Sequence, residues 1–229
     1  MEIYAHRGVS AHAPENTLAA MRLALELPVT GIEVDLRCID GQWLLFHDRF
    51  LERTTNGRGR LHSHSLAHLR SLTTASGEPI PLLEELLQLV AGRCTLNLEL
   101  KEEGDLKTLE PLLARACRDW GFAPQQLLLS SFDHHLLATI AALGWPWPTA
   151  ALFASLPLTL AADASALNCA AIHMDIEVLT PALVYDAHRR GLKVRVYTVD
   201  DPDELRQLAA TGVEGVFCND PKAALALGL

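Results

Sequence analysis

The chain has 229 residues, 49 % of them hydrophobic and 21 % charged, with a net charge of −9. That composition supports a sizeable core and excludes a disordered segment, and the acidic balance argues against a broad nucleic-acid surface, which needs a basic face. A small anionic substrate remains compatible, because a metal ion and a few basic side chains can invert the local field.

Cys38, Cys94, Cys117, Cys169 and Cys218 are widely spaced, odd in number and without a C-x-x-C pair. The spacing predicts free buried thiols rather than disulfides or a zinc site. The first residues lack a basic segment followed by an apolar run, and no apolar stretch reaches the roughly 18 residues of a membrane span. The expectation is a cytoplasmic protein with no membrane insertion.

In chain order, short apolar runs alternate with amphipathic helical segments. Ile3–Ala5 reads as a strand and Asn16–Leu27 as a helix with Leu18, Met21 and Leu25 on one stripe. Ile32–Leu36 and Trp43–His47 are strands. The polar stretch Leu51–Pro79 reads as an excursion, and Pro81 opens a helix that Gly92 ends. Leu96–Leu100 is a strand, followed by a helix from Asp105 to Trp120. Leu127–Ser130 is a strand, and Asp133 caps a helix that stops at Gly144.

Thr149–Phe153 and Ala171–Met174 follow as strands. Thr180-Pro181 opens a helix ending at Gly191, Val194–Val199 is a strand, and Asp201-Pro202 opens a helix ending at Gly212. Val213–Cys218 is the last strand, before a short terminal helix. Cap residue, proline inside the start and glycine past the end recur together.

This gives nine strand candidates. Asp40-Gly41 is a hairpin signal, so Trp43–His47 is expected to return antiparallel beside the second strand. Eight strands remain. The alternation predicts a TIM (β/α)8 barrel, one domain spanning 1–229, with a small hairpin and loop insertion at about 40–79.

Polar residues gather at strand ends. His6-Arg7 follows the first strand, Glu33 and Asp35 alternate along the second, and Glu99 and Lys101 alternate along the strand from Leu96. Residues two apart share a face of a strand. Charges facing a barrel interior are costly unless paired or metal-bound. Three carboxylates at the carboxyl-end mouth form an oxygen cage suited to Mg²⁺ or Ca²⁺. Ordinary salt bridges with Arg7, Arg37 and Lys101 are the alternative.

His47 depends on the hairpin. A three-residue loop, Ile39-Asp40-Gly41, would set Cys38 against Gln42 and bring His47 opposite Glu33. A two-residue loop would pair His47 with Val34 and turn it away. The three-residue loop is expected. Two histidines near a metal fit phosphoryl transfer, one removing a proton and the other protonating the leaving alkoxide, with Arg7 and Lys101 neutralising phosphate oxygens.

At these residues the chain resembles the glycerophosphodiester phosphodiesterase family. The matching segments are Ala5-His6-Arg7-Gly8, Ala13-Pro14-Glu15-Asn16-Thr17, Glu33-Val34-Asp35, Phe46-His47-Asp48, Leu51-Glu52-Arg53-Thr54-Thr55-Asn56-Gly57, Asn97-Leu98-Glu99-Leu100-Lys101 and Ser130-Ser131-Phe132. The resemblance is closest to short cytoplasmic bacterial members.

It implies a divalent cation at Glu33, Asp35 and Glu99, catalytic roles for His6 and His47, and phosphate contacts from Arg7 and Lys101. It also implies products: sn-glycerol 3-phosphate and a free alcohol, by way of a cyclic phosphate. Glu15 and Asp48 are expected to support the cluster from behind. Many relatives carry Trp-Thr-Val-Asn where this chain has Tyr197-Thr198-Val199-Asp200. Tyr197 would offer a ring face and a hydroxyl to the glycerol moiety, and Asp200 is expected to cap the next helix.

Other candidates carry less. His62, His64 and His68 read as a solvated loop, His134 and His135 as surface, Trp145 and Trp147 as packing, and Asn16 as a helix cap. His173 and Asp175 alternate at a strand end, where they could reach substrate. Competing functions are a related enzyme acting on lysophospholipids or phosphoinositides, and a barrel that binds phosphorylated ligands without catalysis. The absence of a basic cluster counts against the first, and the complete set of two histidines and three carboxylates against the second.

Overall fold

In the computed structural model, which describes residues 1–229, eight parallel strands close into a barrel. They are β1 (Glu2–His6), β2 (Gly31–Ile39), β4 (Thr95–Leu100), β5 (Leu127–Ser131), β6 (Thr149–Phe153), β7 (Ala171–Asp175), β8 (Lys193–Tyr197) and β9 (Gly215–Cys218). Each pairs with its neighbours in chain order, and β1 closes the ring by pairing with both β2 and β9. β3 (Gln42–Leu45) lies outside the ring, antiparallel on β2.

Helices wrap the outside, α1 (Leu18–Leu25), α3 (Leu83–Val90), α4 (Leu106–Asp119), α5 (His134–Leu143), α6 (Ala162–Ala166), α7 (Pro181–Arg189), α8 (Pro202–Ala209) and α9 (Pro221–Leu225), while α2 (Leu66–Ser71) belongs to the excursion between β3 and α3. α2 and α6 are short and are the two that periodicity does not disclose. No helix is long and apolar enough to cross a membrane.

The local starts follow from side-chain oxygens. Thr17, Asp133, Thr180 and Asp201 each accept backbone N–H groups at the start of α1, α5, α7 and α8, satisfying donors that the first turn leaves free. Asn16 is not the cap expected for α1; Thr17 takes that place and frees Asn16 for the site described below. Nor does Asp200 cap α8, because Asp201 does.

Two apolar layers join helices to strands. One gathers Leu83, Leu86, Leu87 and Val90 of α3 against Leu96 and Leu98 of β4. The other packs Leu183, Val184 and Ala187 of α7 against Val194 and Val196 of β8. Truncating a fully buried leucine such as Leu86 to alanine would cost about 2–5 kcal/mol. The excursion between β3 and α3 has a small core of its own, with Leu51, Leu61, Leu69 and Leu72 under Phe46.

The hairpin differs from the expectation. Ile39 pairs with Gln42, and Cys38 with Trp43, so the loop is the two residues Asp40 and Gly41. Both have positive φ, 51° and 74°, the signature of the turn whose twist matches a hairpin. Aspartate tolerates that conformation, which removes the need for a third loop residue.

Extended, this register would set His47 against Val34. The ladder instead stops once the Phe46 amide donates to the Asp35 carbonyl at 2.9 Å. Arg37 then draws the chain aside, donating from Nε and Nη2 to the His47 carbonyl at 3.0 and 2.7 Å. His47 is thereby returned to the barrel mouth.

Candidate active site

The carboxyl ends of the strands surround a cavity of about 320 Å³. His6, Arg7, Glu33, His47, Glu99, Lys101 and Tyr197 line it, together with Asn97, Phe132, His173 and Asp175. Asp35 lies directly behind. Register explains the convergence: His6 is the β-partner of Glu33, and Asp35 of Glu99.

Glu33, Asp35 and Glu99 are buried at 4 %, 1 % and 8 % exposure, and an oxygen from each lies within 4.8 Å of the others. Of the buried oxygens, Oε1 of Glu33 has no hydrogen-bond donor, and Oδ1 of Asp35 makes no formal hydrogen bond, only an ion pair with Lys101. Burial, reinforced by Asp35 and Glu99, pushes the Glu33 carboxyl well above the usual range. Burial also works on Asp35, but Arg7 and Lys101 outweigh it and hold that group low. An acidic cluster of this kind, with oxygens left over, has the donor set of a hard divalent cation.

Backbone geometry fixes Arg7. Its φ is 56° and that of Gly8 is 82°, a tight reversal after β1. It aims the Arg7 amide at Oε2 of Glu33, 2.9 Å away. A Cβ on Gly8 would come within 2.7 Å of the Ala20 Cβ, so glycine is needed both for its φ and for the close approach of α1. The Arg7 guanidinium lies 3.0 Å from Asp35 and 2.9 Å from Glu15. Lys101 Nζ lies 3.3 Å from Asp35 and contacts Glu99.

The two histidines are held differently. His6 Nδ1 is 2.8 Å from Oδ1 of Asn219, and its Nε2 is 3.9 Å from Glu33. Burial and the neighbouring Arg7 lower its pKa. His47 Nδ1 is 2.7 Å from the Asp48 carboxylate. Arg53 grips Asp48 and, with His47, holds that carboxyl at about 2. Arg53 also bonds Glu15. Glu15 and Asp48 therefore stand behind Arg7 and His47, tied to each other through one guanidinium.

Asn16, expected as a cap, donates from Nδ2 to Asp35 Oδ2 at 2.8 Å and accepts the Asp35 amide at 3.1 Å. Its φ of 55° directs it inward. Tyr197 differs in another way: its ring lines the cavity, but its hydroxyl donates to the Phe153 carbonyl at 2.8 Å and is not free for a ligand. Asp200 accepts from the Asn219 amide and from Asn219 Nδ2 at 2.7 and 2.6 Å.

Asn97, on the cavity wall with its Nδ2 donating to Ser130, was missed, although its alternation with Glu99 along β4 is a usable signal. Asn219 carried no such signal, lying 213 positions from its histidine partner. His62 pairs with Glu102 at 2.8 Å, and His64 stacks on His68; these three form no cluster with the carboxylates. His134, at the start of α5, donates from Nε2 to the Leu152 carbonyl of β6, 3.0 Å away, and Trp145 meets Trp147 edge to face in the core.

The glycerophosphoryl diester phosphodiesterase family model matches residues 6–223. The chain belongs to this family. It is accordingly a phosphoric diester hydrolase. A glycerophosphodiester phosphodiesterase of Caldanaerobacter subterraneus is 29 % identical over 98 % of this chain and 96 % of that enzyme.

Among solved structures, an Oleispira antarctica phosphodiesterase in complex with the product sn-glycerol-3-phosphate superposes with a TM-score of 0.88. It is 30 % identical, over 99 % of this chain and 96 % of that one. A glycerophosphodiester phosphodiesterase from Agrobacterium tumefaciens has a TM-score of 0.79 at 26 % identity, over 99 % of both chains. The family's closed barrel is the one found here.

Proposed function

We propose that this family member hydrolyses soluble glycerophosphodiesters to sn-glycerol 3-phosphate and an alcohol, in a single barrel domain whose 40–79 insertion supplies the His47 side of the site. One observation carries the reading: two imidazoles, a guanidinium and an ammonium line one cavity with Glu33 and Glu99, which cluster with the buried Asp35 directly behind it. The product bound to the Oleispira antarctica neighbour is that glycerol phosphate.

Glu33, Asp35 and Glu99 would hold the divalent cation, Mg²⁺ or Ca²⁺, and the under-bonded oxygens of Glu33 and Asp35 fit that role. When bound, such an ion supplies Lewis acidity toward a phosphoryl oxygen and acidifies a hydroxyl. Arg7 and Lys101 neutralise the remaining phosphate charge.

The proton carriers can be told apart. Asn219 Nδ2 is committed to a carboxylate, so its Oδ1 faces His6 and accepts the Nδ1 proton. His6 Nε2 then bears the lone pair, and the ring's lowered pKa keeps it neutral. His6 is the base that takes the proton of the neighbouring glycerol hydroxyl as that oxygen attacks phosphorus. His47, with the Asp48 carboxylate as counter-charge, protonates the leaving alkoxide. The P–O bond to the alcohol breaks, and water then opens the cyclic phosphate with the two roles exchanged.

The test is glycerol 3-phosphate release from several glycerophosphodiesters, with Mg²⁺ or Ca²⁺ and with EDTA. Release that EDTA abolishes is expected. No release from any of them in either metal would reject the proposal. The acidic balance of the chain favours water-soluble diesters over lipid substrates.

A further inference from the structure

A second hollow, a groove of about 870 Å³, opens from the first. The two share Glu99, Lys101, Phe132 and His47, whereas His6 faces only the inner cavity. On the reading above, His47 gives its proton to the departing oxygen. The alcohol half of the diester must therefore lie on the His47 side, in this groove.

The charge of the groove is uneven. Each outer carboxylate already has partners. Glu102 pairs with Arg37 at 3.1 Å and with His62 at 2.8 Å. Asp48 is held by His47 and Arg53, and Asp133 accepts two amides of α5. Arg49 and Arg60 also line the groove, yet neither side chain makes an ion pair or a hydrogen bond; Arg60 only lies over the Phe50 ring at 5.7 Å.

The two backbone segments that carry them are bonded to each other. Phe50 and Arg60 form a β-bridge, and the Leu61 amide donates to the Arg49 carbonyl at 3.0 Å. The two aromatic rings of the groove, Phe132 and Phe50, each already carry a cation, Lys101 at 5.8 Å and Arg60 at 5.7 Å, and that like charge disfavours a quaternary ammonium head group beside them.

We propose that this groove is the subsite for the alcohol, and that Arg49 and Arg60 make the enzyme select alcohols that carry a second anionic group, a phosphomonoester above all. The inference rests on the proposed hydrolysis. Guanidinium groups without carboxylate partners suit a phosphate dianion because they form charge-assisted, paired hydrogen bonds to it.

The test compares two substrates that differ by one phosphate, glycerophosphoinositol and glycerophosphoinositol 4-phosphate, with glycerophosphocholine as a third arm. In the wild type, kcat/KM for the phosphorylated substrate is expected to exceed that for glycerophosphoinositol by about tenfold or more. In R49A/R60A the ratio falls to near one, and high salt narrows it in the wild type. Because each ratio is taken within one protein, a partial loss of folded enzyme cancels. A wild-type ratio at or below one, a ratio that survives in R49A/R60A, or a faster reaction with glycerophosphocholine than with the phosphorylated substrate would each overturn the inference. Hydrolysis of none of the three would instead reject the proposed function itself.

Discussion

The side-chain oxygen of Asn219 lies 2.8 Å from Nδ1 of His6, and the amide is locked in that orientation from behind by Asp200, which accepts its Nδ2 at 2.6 Å. Ser10 donates to the same oxygen at 2.8 Å. A residue late in the chain thus sets which nitrogen of an early histidine carries the proton. Asn219→Ala should lower kcat by about tenfold, or about 1.4 kcal/mol of barrel-mouth stabilisation lost in the transition state, with KM little changed. An equal kcat would show that His6 keeps its tautomer unaided.

His47→Ala should reduce turnover of natural diesters by roughly 10²–10⁴-fold while metal binding, read by calorimetry, persists. With a p-nitrophenyl ester of glycerol phosphate, whose leaving group needs no proton, most of the loss should vanish. The same ester should not rescue His6→Ala. Rescue of His6→Ala alone would reverse the roles assigned to the two imidazoles, and rescue of both would refute the assignment.

Glu99→Gln should remove metal dependence and activity together. Asn16→Ala should act less severely, because Asn16 holds Asp35 through two hydrogen bonds without belonging to the carboxylate set. A fall of about 10–100-fold in Mg²⁺ or Ca²⁺ affinity is expected, with activity recovered at high metal concentration. A variant that titrates metal like the wild type would leave Asn16 a purely structural residue.

His173 makes stability depend on pH. It is fully buried beside Arg195, and both burial and that charge hold its pKa well below the ordinary value of 6.5. The unfolded chain takes up this proton near 6.5 and the folded chain does not. The contribution is therefore complete above pH 6.5 and is lost as pH falls, at up to about 1.4 kcal/mol per unit. Urea midpoints at pH 7.5, 6.0 and 5.0, with metal present, should fall more steeply for the wild type than for His173→Gln. Parallel slopes would contradict the assignment.

Local periodicity explains what could be read early. The eight-strand alternation, the outlying hairpin strand and the inward pairs Glu33/Asp35 and Glu99/Lys101 all rest on a side-chain period of two, which any strand obeys regardless of its neighbours. The three-residue hairpin loop failed because aspartate at position 40 adopts positive φ, a choice that sequence leaves open. His47 nevertheless arrives at the cavity, since the side chain of Arg37, rather than the ladder, positions it.

The chain alone thus determined the barrel and the residue types at its rim, because hydrophobic alternation and cap chemistry act within a few residues. Only the closed tertiary structure decided that Asn16 serves Asp35, that Asn219 and Asp200 serve His6, and that the Tyr197 hydroxyl is spent on the Phe153 carbonyl. Those partners lie 19, 213 and 44 positions apart in the first-named contacts of each group. Which buried polar groups meet across such distances depends on strand register and ring closure, and neither is encoded in any single segment.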